Sequence, residues 1–227
     1  MDNMKVDFIN GTAYLGDCLG ILQEFDLSNK FDLCLTDPPY GIGESQRKNL
    51  TRGKLAKIKI YPDFEDVRPN KNIFDLILQL SHNQIIWGGN YFSDYLPVSK
   101  GWIFWNKIMS GGFSDGELAW TSYDKALRQF TFQWNGMIKD GDRSINNRIH
   151  LTQKPYELML YCFEYAKLPE QTTILDPFAG SGTTAIACIH SNRRFVVIEK
   201  EQKYFDLMCK RIEYQESQLK INFEEVI

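Results

Sequence analysis

The sequence predicts a doubly wound α/β domain built on a mostly parallel sheet, and three observations carry that reading. Short apolar runs alternate along the chain with segments of helical period. Two of those runs end in a carboxylate followed by proline, Asp37 before Pro38-Pro39 and Asp176 before Pro177. After the second run a glycine-rich turn, Gly180-Ser181-Gly182, leads into a helical segment. Such a turn lets a nucleotide-like ligand approach the backbone closely.

Taken in order, residues 12–16 form a short strand ending at Asp17, and Cys18 to Phe25 has the apolar spacing of a helix at Leu19, Leu22 and Phe25. Phe31 to Thr36 is a buried strand. Residues 41–63 show no period and form a long loop, expected to be mobile and retained for function. Ile73 to Leu80 is an amphipathic helix, followed by strands at Gln84–Trp87 and Gly101–Trp105. Glu117 to Ser122 and Phe130 to Trp134 are expected to pair antiparallel, as a hairpin. Tyr156 to Lys167 is a helix, Thr173 to Leu175 a strand, Thr184 to Ser191 a helix, Phe195 to Ile198 a strand, and Gln202 to Ser217 a closing helix. Strands separated by helices require helices on both faces of the sheet.

The 227 residues suit a single domain with a well-buried core. With 43% hydrophobic and 24% charged residues the chain is ordinarily globular, and its longest apolar runs are far too short for a membrane span. Residues 1–12 do not read as an export signal. The five cysteines form no Cys-x-x-Cys pair, so neither a disulfide framework nor a metal site is indicated, and a reducing cytoplasm is the expected compartment.

The net charge of −3 hides an uneven distribution. Between Ser45 and Ile60 stand Arg47, Lys48, Arg52, Lys54, Lys57 and Lys59, with no acid among them. This run begins four residues after Tyr40-Gly41, beside the first carboxylate–proline motif, which favours a phosphate-contacting role over a merely solvated loop.

Thr36-Asp37-Pro38-Pro39-Tyr40-Gly41 places a carboxylate, two rigid prolines and an aromatic ring at a strand end, a set able to grip a planar amine. Gly180-x-Gly182-x-x-Ala185 alone fits a relaxed dinucleotide fingerprint. Asp176 argues against that, since a carboxylate at the strand end suits an ammonium and repels a pyrophosphate. No lysine follows Gly182, which excludes a Walker-type phosphate loop.

These two motifs, in this order, resemble the S-adenosylmethionine-dependent DNA amino-methyltransferases of the permuted β group. The resemblance implies a Rossmann-like methyltransferase sheet, circularly permuted, in which the chain's start continues the sheet its end begins. It implies that Asp37, Pro38, Pro39 and Tyr40 act on an extruded base. It assigns Asp176, Pro177, Phe178, Gly180, Ser181, Gly182, Thr183 and Thr184 to the methionine part of the cofactor. Glu199 and Lys200 would meet the ribose, Asp17 and Cys18 the adenine, and His150, Thr152 and Lys154 the amino-acid end. The six cations of the loop, with Arg143 and Arg148, are the expected DNA contacts.

Relatives usually carry a larger recognition insertion than residues 135–149 provide. The basic loop, this segment or a second subunit would then share the reading of DNA, and a homodimer is one arrangement that allows it. The implied product is N6-methyladenine, because aspartate at position 37 goes mostly with adenine enzymes in that family. N4-methylcytosine stays open, with restriction-modification as the expected setting. A nicotinamide-dependent oxidoreductase and a catalytically silent DNA-binding module are the remaining alternatives.

Overall fold

The computed structural model describes residues 4–43, 65–108, 114–134, 141, 145, 149–150 and 152–224, the last five as backbone. Its strands are β1 (Met4–Asp7), β2 (Gly11–Leu15), β3 (Phe31–Thr36), β4 (Ser81–Trp87), β5 (Trp102–Asn106), β6 (Gly116–Thr121), β7 (Arg128–Thr131), β8 (Thr173–Asp176) and β9 (Arg194–Glu199). The helices are α1 (Cys18–Gln23), α2 (Lys71–Leu80), α3 (Tyr156–Ala166), α4 (Thr183–His190) and α5 (Gln202–Glu224). All nine strands join one sheet in the order β1-β2-β9-β8-β3-β4-β6-β5-β7. The five strands β2, β9, β8, β3 and β4 run parallel, while β1 and β6 are antiparallel to their neighbours.

Residue alternation explains why the centre of the sheet is apolar on both sides. In β3, Leu33 and Leu35 join the core that includes α3, α4 and α5, whereas Cys34 joins the core containing α1 and α2. In β4, Ile85 and Trp87 take the first face and Ile86 the second. Trp87, Trp105, Phe74, Phe92 and Phe205 are among the largest fully buried side chains, each stabilising the fold by roughly 1.5–3 kcal/mol.

The helix ends follow from local chemistry. Asp17 caps α1, its carboxylate accepting the Leu19 N–H at 3.0 Å. α3 starts after Pro155 and ends at Lys167, whose left-handed φ of 55° closes the last turn. Gly182, with φ 73°, lets the chain turn directly from β8 into α4. A Cβ there would stand 2.6 Å from Met208 Cγ, so the α4 start and α5 approach more closely than any side chain permits.

The expected hairpin between residues 117–122 and 130–134 is not formed. Both edges of β6 are already taken, by β4 and β5. β7 lies instead on the far side of β5 and runs parallel to it. Two contacts hold it there: the Trp105 indole N–H donates to the Phe132 carbonyl at 3.0 Å, and the Phe130 ring lies 4.8 Å from that of Tyr161 in α3. The antiparallel hairpins of this sheet are β5–β6, which takes up the first of these segments, and β1–β2 at the other edge.

The helix following β8 covers one face and the helix following β3 covers the other. Connections therefore leave these adjacent strands in opposite directions and open a crevice at their carboxyl ends, where ligands of such sheets bind. Asp176 and Asp37 stand there side by side. Among the described residues no helix is long and apolar enough to cross a membrane.

Candidate active site

The floor of the crevice is a bond between the two strand ends. Thr36 Oγ1, the last residue of β3, donates to Asp176 Oδ1 at 2.8 Å. Asp176 also accepts from Thr184 Oγ1 at 2.6 Å and from the Phe178 N–H at 3.1 Å. These three partners are neutral, so burial wins and pushes the Asp176 carboxyl up to about 6. A buried carboxylate held only by neutral donors is suited to receive a cation.

Glu199 ends β9 and ties the glycine turn. Its Oε2 accepts the Gly180 N–H and its Oε1 the Glu201 N–H, both at 2.8 Å. Burial raises this carboxyl as well, to about 7. The His150 ring lies against the turn, 3.8 Å from where a Gly180 Cβ would be, and 4.3 Å from the Tyr204 ring on its other side. Thr152 donates its N–H to His150 Nδ1 at 3.2 Å. Arg211 of α5 steadies the turn by donating to the Ser181 carbonyl at 2.9 Å and to Thr183 Oγ1 at 3.2 Å. Pro177 is buried and Phe178 half-buried, on the α1–α2 side.

This donor set fits S-adenosylmethionine. Asp176 offers a buried anion to an ammonium, and Glu199 keeps acceptor capacity for ribose hydroxyls. Gly180 (φ 51°), with only the His150 ring near it at 3.8 Å among the described residues, leaves backbone room for the ligand's body. Asp17 lies one strand over from Glu199, where the Gly16 N–H donates to the Glu199 carbonyl at 3.0 Å, and buried Cys18 follows it. Lys200 forms an exposed ion pair with Glu65 at 2.6 Å.

On the β3 side the structure gathers a second cluster. Tyr40 donates its hydroxyl to Asp37 Oδ1 at 2.6 Å, and its ring stacks on that of Tyr91 at 4.8 Å. Gly88 makes room for this ring: a Cβ there would sit 2.1 Å from Tyr40 Cε1. Lys154 Nζ bonds Asp37 Oδ2 at 2.6 Å and Glu117 Oε2 at 2.8 Å, and Glu117 is also paired with Lys107. Burial lifts the Asp37 carboxyl above its usual range, with Lys154 opposing and Glu117 adding to the rise. Against the cost of burial, Lys154 and Lys107 hold Glu117 down to about 2.

Lys154, expected beside the amino-acid end of the cofactor, thus has its ammonium in the Asp37 cluster instead. Its position just before α3 aims it across the crevice mouth at β3 and β6. Glu117, Lys107 and Tyr91 were not legible as site residues. The one signal was an acid opening an otherwise apolar strand, Gly116-Glu117-Leu118-Ala119-Trp120. Arg47, Lys48, Arg52, Lys54, Lys57, Lys59, Arg143 and Arg148 lie outside the described residues. No group of three or more His, Cys, Asp or Glu side chains among the described residues is arranged to hold a metal.

Fold and site together give a mostly parallel α/β sheet with a glycine-rich turn and a carboxylate–proline–aromatic motif at one crevice. Residues 114–210 match the N6/N4 methyltransferase family model, described as DNA methylase. The chain is 27% identical over 258 aligned residues to the type II methyltransferase M.HinfI of Haemophilus influenzae, an alignment spanning 91% of this chain and 69% of that protein. Its fold is similar to the crystal structure of the M1.HpyAVI–SAM complex, with TM-score 0.59, 23% identity, and coverage of 89% of this chain and 98% of that one. It is also similar to the cytosine-N4-specific PvuII DNA methyltransferase, with TM-score 0.54, 16% identity, and coverage of 89% and 86%. The chain is thus similar in sequence and in fold to DNA methyltransferases, one of them solved as its SAM complex.

Proposed function

We propose that this protein methylates an exocyclic base amine in DNA, N6 of adenine, with a permuted β-group arrangement of its motifs. The observation that carries the reading is the Thr36–Asp176 bond. It joins the strand end bearing Asp37 to the strand end bearing the glycine turn, so one crevice serves both base and cofactor.

S-adenosylmethionine supplies a methyl group activated by its sulfonium. The chain supplies the rest. An exocyclic amine is a poor nucleophile because its lone pair is delocalised into the ring. Asp37 accepts one amine N–H and the Pro38 carbonyl the other, which favours a pyramidal nitrogen with its lone pair free. As the nitrogen gains its new carbon it sheds one proton along the hydrogen bond to Asp37. Aimed acceptors of this kind are worth on the order of 100–1000-fold in rate. The base must leave the duplex to reach them, and Tyr40 offers it an aromatic face. His150, Thr152 and Glu199 shape the turn around the cofactor.

Aspartate at position 37 supports adenine, by the family association. Incubating the protein with S-adenosylmethionine and mixed-sequence DNA, followed by mass spectrometry of the nucleosides, tests the reading. N6-methyladenine is the expected product. N4-methylcytosine alone would overturn the base assignment and leave the amine methylation standing, and no methylated base would overturn the function.

A further inference from the structure

The Asp37 cluster contains more charge than a simple acceptor needs. Each carboxylate has about four lone-pair sites. Tyr40 occupies one on Oδ1 and Lys154 one on Oδ2, leaving room for a base amine without displacing either. The Lys154 side chain is 8% exposed, and it is held from two sides, by Asp37 on the β3 loop and Glu117 on β6. Lys107, from the loop after β5, completes the row on Glu117. The row thus runs cation, anion, cation, anion, ending at the acceptor.

We propose that Lys154 is the positioning residue of Asp37: fixed by Glu117, which Lys107 holds in turn, its ammonium keeps the acceptor carboxylate charged and oriented toward the base amine. This rests on reading Asp37 as the amine's acceptor. It also explains the charge on β6. Glu117 faces the crevice at the start of a strand whose later residues, Ala119 to Thr121, are buried. Alone, a carboxylate there would repel Asp37. With Lys154 between them, the two anions share one cation, which opposes the rise that burial and Glu117 impose on the acceptor carboxyl. Among the described residues the ionisable groups facing Asp37 are Tyr40 with Tyr91 stacked behind it, Lys154, Glu117 backed by Lys107, and Asp176 across the Thr36 bond.

Two readouts test this in the wild type, Lys154→Met, Lys154→Arg and Glu117→Gln. One is the single-turnover methylation rate against pH, with saturating S-adenosylmethionine. The other is the titration of the Asp37 carboxyl, followed by carbon NMR in the protein without DNA. Removing an opposite charge this close moves a carboxyl up by about 1–3 pH units. Lys154→Met should therefore move both the acid limb and the NMR titration upward, leaving S-adenosylmethionine affinity at the wild-type level, and Lys154→Arg should reverse much of the shift. Glu117→Gln removes a like charge and should move both downward, and Lys154→Gln, which should shift both upward as Lys154→Met does, decides the matter if Lys154→Met does not fold. Titrations unmoved in every variant would overturn the proposal, as would a loss of cofactor affinity that accounts for the whole rate loss. Were the wild type to methylate no DNA, the proposed function would fail, and the NMR titration alone would still decide whether Lys154 governs Asp37.

Discussion

Asp37 and Asp176 are carboxylates at the ends of neighbouring strands, yet their partners give them opposite tasks. Asp176 has neutral donors, whereas Asp37 has a cation in Lys154; under the proposed function the first receives an ammonium and the second keeps lone pairs for a neutral amine. Removing each should therefore separate chemistry from binding. Asp37→Ala should lower turnover by about 100–1000-fold while calorimetry shows S-adenosylmethionine affinity preserved, and near-wild-type turnover would refute its role. Gly182→Val should instead abolish cofactor binding, because its φ of 73° and the Met208 side chain leave no place for a branched side chain. Its thermal melt should also be lower, by roughly 1–3 kcal/mol of backbone strain. Asp37 and the glycine turn were legible in the sequence because each motif is contiguous and its chemistry is local. The partnership of Lys154 with Glu117 was not, since it depends on β6 inserting beside β4, a fact of sheet order that no local pattern encodes.

At the scale of elements, most strands and helices of the sequence reading lie within a few residues of those observed, because apolar period and cap residues act locally. The failures were edges. β1, with three of its four residues exposed, carries little apolar signal, and β7 pairs with β5 rather than with β6. The ends of β8 and β9 make a prediction about pH. Asp176 and Glu199 have folded-state values near 6 and 7, raised by burial above 3.8 and 4.5. A carboxyl with a raised value binds its proton more tightly when folded. Its stabilising contribution is complete below the unfolded value and is lost as pH rises through the folded one. Without cofactor, the protein should then lose on the order of 2–3 kcal/mol per group between pH 4 and 8, seen as a falling melting temperature. S-adenosylmethionine, favouring the charged forms, should bind more tightly across the upper part of the same window. Asp176→Asn should flatten the melting profile, and a profile unchanged by that substitution would count against the assignment.

For the whole molecule, the distribution of charge and the closure of the sheet matter more than any one residue. The net charge of −3 opposes DNA, so the proposed binding needs a local surface, and the sequence concentrates cations between Arg47 and Lys59. If they meet phosphates, log affinity should fall with log salt by roughly 0.9 per contact on duplex DNA. Replacing Arg47, Lys48, Arg52 and Lys54 with Ser should flatten that slope equally on all sequences, and an unaltered slope would make the loop a bystander. Sheet closure yields a stricter test. β2 from the chain's start pairs in parallel with β9 from near its end, from Gly11 against Phe195 to Leu15 against Glu199. The Asn10 N–H also donates to Glu216 of α5 at 3.1 Å. The two ends of the chain thus belong to one continuous sheet, and chain order is separable from strand order. Joining the termini by a flexible linker and opening the chain between exposed Pro169 and Glu170 would start the protein at β8 while preserving every strand neighbour. That rearranged chain should fold, melt cooperatively and bind S-adenosylmethionine nearly as well as the original. If it melts without cooperativity or binds no cofactor, the connection between α3 and β8 does more than link them, and a permuted ancestry would lose its physical basis.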